Sequence, residues 1–339
     1  MPPNQYDVLG IGNAIVDVIA TCEDDFLVGE SIEKGGMTLI DEGRAKQLYA
    51  AMGPALEASG GSVANSMAGI ASFGGNPAFI GKVHADQLGE VFIHDMRAVG
   101  VACDVMGADR GPATARSLIL VTPDAQRSMN TFLGIAGLLE PDDVDADLVE
   151  RSTLLFCEGY LWDVESAKKA IRFAMQTAID AGNRVALSLS DTFCVDRHHA
   201  EFRELVAGPV DTLFANRAEL LRLYETDHVE EAFELLGADV ALGCVTMGTL
   251  GSMLIDNGKQ IKIPAYEVGR VIDTTGAGDQ YAAGVLYGLS QGMSLDRCGR
   301  LGSLAAAEVI SHVGPRPMSP LERLRIEDAK VDPRSWVKD

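Results

Sequence analysis

The sequence predicts an α/β protein, with a doubly wound, mostly parallel sheet flanked by helices and a small β-sheet lid. Three observations predict it. Short apolar runs alternate with helix-period segments along most of the 339 residues, and strands joined through helices pair in parallel by right-handed crossovers. Two stretches, 16–39 and 114–132, break the alternation with strand-like pieces and turn residues. Glycines stand just ahead of helical periods, where open α/β sheets bind ligands at their C-terminal strand ends.

The elements follow in order. Residues 6–11 read as a strand, 62–73 as a helix opened by the Gly60-Gly61 turn, 78–83 as a strand and 86–99 as a helix. The alternation resumes with a strand at 154–157, a helix at 165–181 and strands at 185–189 and 212–215. A helix from about Arg217, a strand at 241–246 and helices near 278–291 and 296–311 complete it. Residues 114–132 have a hairpin pattern around Pro123-Asp124. The expected division is a large α/β domain of residues 1–15, 41–112 and 134–339, with a small β lid of 16–40 and 113–133.

Composition restricts the function. Forty-nine Asp and Glu against 28 Lys and Arg give a formal charge of −21, which repels phosphate backbones and anionic membranes. No partner nucleic acid or membrane is expected, and no run approaches the roughly 18 apolar residues of a span. The six cysteines show neither zinc spacing nor a disulfide framework, so reduced thiols and a cytoplasmic location are expected. Adjacent His198 and His199 lie in a polar stretch that reads as a surface loop, not a metal site.

The most informative segment is Asp273-Thr274-Thr275-Gly276-Ala277-Gly278-Asp279, which opens a helix after an apparent strand end at Val271-Ile272. Free N–H groups at a helix start attract an anion. A carboxylate in that first turn, Asp279, can take a proton from an attacking hydroxyl while the N–H groups hold a migrating phosphoryl. Taken alone, the same residues also make an ordinary capped turn.

This segment resembles the C-terminal signature of the ribokinase-like (PfkB-type) sugar and nucleoside kinases. Gly60-Gly61-Ser62-Val63-Ala64-Asn65, continued by Gly74-Gly75 and Ile80-Gly81-Lys82-Val83, resembles the N-terminal signature. The resemblance covers nearly the whole chain. It implies ATP as phosphoryl donor with Mg2+, Asp279 as base, and Gly276, Ala277 and Gly278 as anion hole. Asn216 and Glu219 match the family's Asn-x-x-Glu element, which places Asn216 at ATP and Glu219 indirectly at magnesium. Thr246, Gly248 and Gly251 match a nucleotide-binding turn, while Ala305 and Gly314 fall where the family contacts adenine. A K+ requirement around Asp273 is a further family trait.

Within the family, Gly12-Asn13-Ala14-Ile15-Val16-Asp17 is similar to the adenosine-kinase element that places Asn13 and Asp17 on a nucleoside, with Gly60, Gly61 and Asn65 on the sugar. Tyr160 and Phe193 match aromatics that sandwich adenine, and Arg127 matches a lid arginine that neutralises phosphate. Thr275 stands where animal adenosine kinases have Asn, and Asp191 adds an acid near the proposed base pocket. The implied reaction is adenosine plus ATP to AMP plus ADP. The alternatives are another purine nucleoside, a free sugar such as ribose, fructose or 2-keto-3-deoxygluconate, or a non-catalytic binder on the same scaffold. The expected partners are these small molecules, on a monomer or homodimer. Gly10-Ile11-Gly12 lacks the third glycine of a dinucleotide fingerprint, and the 75–82 segment lacks Walker spacing.

Overall fold

A computed structural model describes residues 5–105, 107–124 and 126–328, so the expected domain's ends, 1–4 and 329–339, lie outside the described residues. The chain opens with β1 (Tyr6–Ile11), β2 (Ile15–Thr21), α1 (Asp24–Gly29), β3 (Met37–Leu39) and α2 (Glu42–Ala51). β4 (Leu56–Gly60) leads through α3 (Ser62–Ser72) and β5 (Pro77–Ile80) to α4 (Gln87–Ala98). The hairpin of β6 (Ala115–Val121) and β7 (Arg127–Phe132) precedes α5 (Ala146–Glu150), β8 (Ser152–Glu158) and α6 (Glu165–Asp180). Then come β9 (Arg184–Ser188), α7 (Thr192–Val206), β10 (Thr212–Asn216), α8 (Arg217–Tyr224), α9 (Val229–Asp239) and β11 (Leu242–Thr246). β12 (Ser252–Asp256), β13 (Lys259–Ile263), α10 (Ala277–Ser290), α11 (Leu295–Val309) and α12 (Leu321–Asp328) close the described chain.

The large sheet runs β13-β12-β11-β10-β9-β8-β1-β5. It is parallel from β11 to β5 and ends in an antiparallel hairpin, β12–β13. Its parallel strands are largely buried on both faces, as the near-continuous apolar runs require, while the edge strand β13 is mostly exposed. Alternate residues feed two cores: Val8, Leu154 and Phe156 pack with α3, α10 and α11, whereas Leu9, Leu155 and Cys157 pack with α6 and α7. α6 shows how one helix covers a face, with Ala167, Ala170, Ile171, Ala174, Met175 and Ala178 forming one buried stripe at i, i+3, i+4 spacing.

The second sheet, ordered β3-β7-β6-β2-β4, has five strands. It corrects the sequence reading in several places. β4, grouped with the large domain, pairs antiparallel with β2 in the small sheet. Residues 16–39 contain a helix, α1, and α2 follows it; both are too short for a periodic signal. The β12–β13 hairpin, a stretch to which the sequence reading assigned no element, joins the large sheet. Val271-Ile272 is exposed and lies outside any strand. The His198-His199 stretch is not a loop: it lies in α7, which kinks at His198. His198 there contacts Asp163 at 2.7 Å, a tertiary partner that no local pattern reveals.

Three helices pack closely enough to need glycine. A Cβ on Gly69 of α3 would strike Gln280 and Ala283 of α10, and one on Gly284 of α10 would strike the Leu301–Gly302 backbone of α11. Backbone cannot yield as a flexible side chain can. Gly284→Ala should therefore lower the unfolding free energy by about 2 kcal/mol, the scale of overpacking, read from urea denaturation. An unchanged midpoint would contradict this helix contact.

Candidate active site

The C-terminal ends of the parallel strands and the N-termini of α3 and α10 converge on a cleft of about 850 Å³, roofed by the small sheet. It brings together Asn13, Asp17, Gly61, Asn65, Tyr160, Phe193, Asn216, Glu219, Thr246, Gly276, Ala277, Gly278 and Asp279. These residues come from seven separate parts of the chain.

α10 starts at Gly276, whose φ of +77° is a left-handed conformation and whose missing Cβ leaves room for the Pro315 backbone. A side chain here would be strained and would also clash. Gly278 faces open space within the cleft, so a Cβ there would fill the anion cradle instead of the core. Asp279 lies in the first turn, and α3 grips both of its oxygens. Ser62 Oγ donates to Oδ1 at 2.7 Å and Asn65 Nδ2 to Oδ2 at 3.0 Å. Desolvation in the cleft raises the carboxyl above its usual range, and these hydrogen bonds with the nearby Arg316 cation oppose the rise.

The sugar-binding candidates Asn13, Asp17, Gly61 and Asn65 line the same cleft. Glu158, which sequence reasoning did not single out, is 1% exposed and accepts from the backbone N–H groups of Asn13 and Val63 at 2.8 and 3.0 Å. It also accepts from Asn13 Nδ2 at 2.7 Å. Asn13 Oδ1 is then left buried without a protein partner, an acceptor aimed into the cleft. Its signal in sequence is a lone acid closing the apolar 154–157 run, at the end of a parallel strand where ligands bind. Asp17 stands on β2 against Gly60, where any Cβ would overlap its carboxylate. Burial raises Asp17 to about 6, while Arg316 and Arg127 pull it down. Gly60 itself supports Asp17 without lining the cleft.

Glu219 and Asn216 form a reciprocal capping box at the start of α8. Burial pushes Glu219 up to about 7 against the Asn216 hydrogen bonds. Among the described residues no group of three His, Cys, Asp or Glu could hold a metal ion, so a divalent cation here would rely on phosphate oxygens and water. The open cradle at Gly278 and the recessed Glu219 fit such a phosphate-borne ion.

Other expected contacts fall elsewhere. Gly248 and Gly251, both at positive φ, shape the turn after β11 but do not reach the cleft, whereas Thr246 does. Ala305 is fully buried in the core of α11, because its face of that helix meets the sheet. Gly314 donates its N–H to Asp273 Oδ2 at 2.9 Å. Asp273, the candidate K+ ligand, also accepts from Thr275 and lies 2.8 Å from Arg127 Nη2, with both side chains about nine-tenths buried. Its oxygens are thus committed to protein donors. The Arg127 contact is an ion pair without hydrogen-bond alignment, leaving that nitrogen's donors free.

Asp17, Glu158 and Glu219 all bind protons more tightly folded than unfolded. Stability from such groups is full below their unfolded values and is lost as pH rises through the folded ones. The ligand-free protein should therefore melt at a higher temperature at pH 5 than at pH 7.5, measured calorimetrically. A rise in melting temperature across that window would contradict these shifts.

Comparison with known proteins agrees with this architecture. The model of the pfkB family of carbohydrate kinases matches residues 53–322. The crystal structure of a probable sugar kinase from Rhizobium etli CFN 42 superposes with a TM-score of 0.90 at 48% identity, covering 97% of this chain and 100% of that one. Adenosine kinase from Sinorhizobium meliloti gives 0.89 at 50% identity, covering 96% and 99%. An uncharacterized sugar kinase of Archaeoglobus fulgidus is 27% identical over 255 residues, 73% of this chain and 96% of that protein. The chain belongs to the pfkB family of carbohydrate kinases, phosphotransferases that act on hydroxyl groups.

Proposed function

We propose that the protein phosphorylates the 5′-hydroxyl of adenosine, converting adenosine and ATP to AMP and ADP. The observation that carries the choice of a nucleoside is an apolar slot beside Asp17. Met37, Leu39, Ile119 and Met129 of the small sheet face the cleft from above, and Tyr160 and Phe193 line it below. Phe193 is 68% exposed, so no protein group covers its ring, and a flat base can stack there. The small sheet then acts as a lid over the large α/β unit, with the division at residues 16–40, 56–60 and 113–133.

In this reading Asp17 and the orphan Asn13 Oδ1 accept from ribose hydroxyls, and Asn65 adds a third sugar contact. Asp279 takes the proton as the acceptor oxygen attacks, the new O–P bond forms and the bond to the ADP leaving group breaks. ATP supplies the phosphoryl group, and a Mg2+ ion carried on its phosphates near Glu219 would neutralise their charge. N–H groups at Gly276, Ala277 and Gly278 stabilise the transferring phosphoryl. Arg127, with donors free beside Asp273, adds positive charge from the lid.

A free sugar is the second reading, favoured by the carboxylates of Asp17, Glu158 and Asp191 in the cleft lining and by the sugar kinases among the relatives. A product assay with Mg·ATP across adenosine, inosine, guanosine, ribose, fructose and 2-keto-3-deoxygluconate separates the two. Adenosine should give the highest kcat/KM, and preferred turnover of a free sugar would refute the nucleoside assignment. Asp279→Asn should reduce kcat by about 10²-fold or more with acceptor affinity held within a few-fold; near-normal turnover would remove the base assignment. Phe193→Ala and Tyr160→Ala should each weaken adenosine by about 1–3 kcal/mol, the value of stacking on a base. No change in either KM would place the base elsewhere.

A further inference from the structure

Arg316 is used by none of the roles above, yet its charge acts on both Asp17 and Asp279. It follows Gly314 and Pro315 in the segment after α11. Two contacts hold that segment in place. Gly314 N–H donates to Asp273 at 2.9 Å, and Gln280 Nε2 bridges the Pro315 and Asn65 carbonyls at 3.0 and 2.9 Å. The guanidinium then donates from Nε to Asn65 Oδ1 at 3.2 Å and from Nη1 to Ser59 Oγ at 2.7 Å, with Nη2 on Met96 Sδ at 3.4 Å.

We propose that Arg316 is a positioning residue of the phosphoryl-transfer site, acting through Asn65 to orient the Asp279 carboxylate and offsetting the acidity of the cleft that Asp279 shares with Asp17. The inference rests on Asp279 being the base. Its core is the donor inventory. A guanidinium only donates, so the Asn65 amide must turn its oxygen to Arg316 and its nitrogen to Asp279, 3.0 Å away. Without Arg316 only the ionised Asp279 carboxylate distinguishes the two ends of that amide, and Asn65 Oδ1 loses the donor that holds it. A flipped Asn65 would set oxygen against carboxylate, where the contact is repulsive. Ser62 would then hold Asp279 alone, and the carboxylate plane would be free to rotate.

Charge supports the same conclusion. The groups facing Asp279 are Asp17 from β2, Glu158 from β8, Tyr160 from the segment after it, and Arg316. Those facing Arg316 are Asp17, Asp95 and Asp279. Burial raises both Asp17 and Asp279, and the Arg316 cation opposes the rise at each, with Arg127 adding a weaker opposition at Asp17. Its removal should push both upward, so that the base is ionised only at higher pH.

The test is the pH dependence of kcat/KM for the acceptor in Arg316→Met and Arg316→Lys, with folding checked by circular dichroism and Asp279→Asn as the reference. Arg316→Met should lose about tenfold or more in kcat at pH 7, and its acid limb should move up by about one pH unit, with the KM for ATP unchanged. Arg316→Lys keeps the charge but not the planar fork. Its acid limb should stay near the wild-type position while kcat falls about threefold or more. Equal losses at every pH in both variants would mean a packing strut and would overturn the proposal. If Arg316→Met does not fold, Arg316→Lys decides, and a wild-type kcat there overturns it. An active Asp279→Asn removes the base reading and this inference together. An inactive Asp279→Asn beside an unshifted Arg316→Met removes this inference alone.

Discussion

Asp279 meets three demands at once: it starts a helix, lies in a desolvated cleft, and accepts hydrogen bonds from α3 at both carboxylate oxygens. A buried carboxylate is costly unless its oxygens are paired. The pairing here depends on α3 lying tightly against α10, which in turn depends on Gly69 leaving space for Gln280. Gln280, fully buried, ties the carbonyl of Asn65 to that of Pro315. Packing of two helices and geometry of the proposed base are thus one constraint, and a change in either would disturb the other.

The small sheet joins this arrangement at two points. Asp17 on β2 enters the cleft beside Gly60 of β4, and Arg127 on β7 reaches Asp273 at the start of the glycine turn. Arg316 adds a third tie through Ser59 of β4. The ties of Arg127 to Asp273 and of Arg316 to Ser59 are polar and run between the roof and the phosphate end of the cleft. Such links can be exchanged for ligand contacts more readily than apolar packing can, because charged groups that lose one partner need another in the same place. The apolar residues of the sheet that face the cleft, Met37 and Leu39 among them, remain partly exposed.

The parallel core was legible because strands buried on both faces leave unbroken apolar runs, and helices such as α6 repeat at 3.6 residues. The glycine turn, an ordinary capped turn taken alone, became legible together with its partner elements at 60–65, 216–219 and 246–251. What was missed had no local period. α1 and α2 are short, β4 is Leu-Glu-Ala-Ser-Gly, residues 56–60, and α7 carries two histidines on a polar run, with a kink at His198 where that ring meets Asp163. Ala305 was placed at the cleft by correspondence, while the rotation of α11 against the sheet turned it inward.

By itself the sequence determined the fold class, the family signatures and part of the cleft lining, because chain-local spacing and residue type carry that information. Tertiary structure decided how those residues are partnered. Asp273 is taken by Arg127, Thr275 and Gly314; Glu158 holds Asn13 so that one oxygen of its amide faces the cleft unpaired; and Arg316 sets the direction of Asn65. Each of these depends on which donor lies within about 3 Å of which acceptor, a matter of distance between segments far apart in the chain.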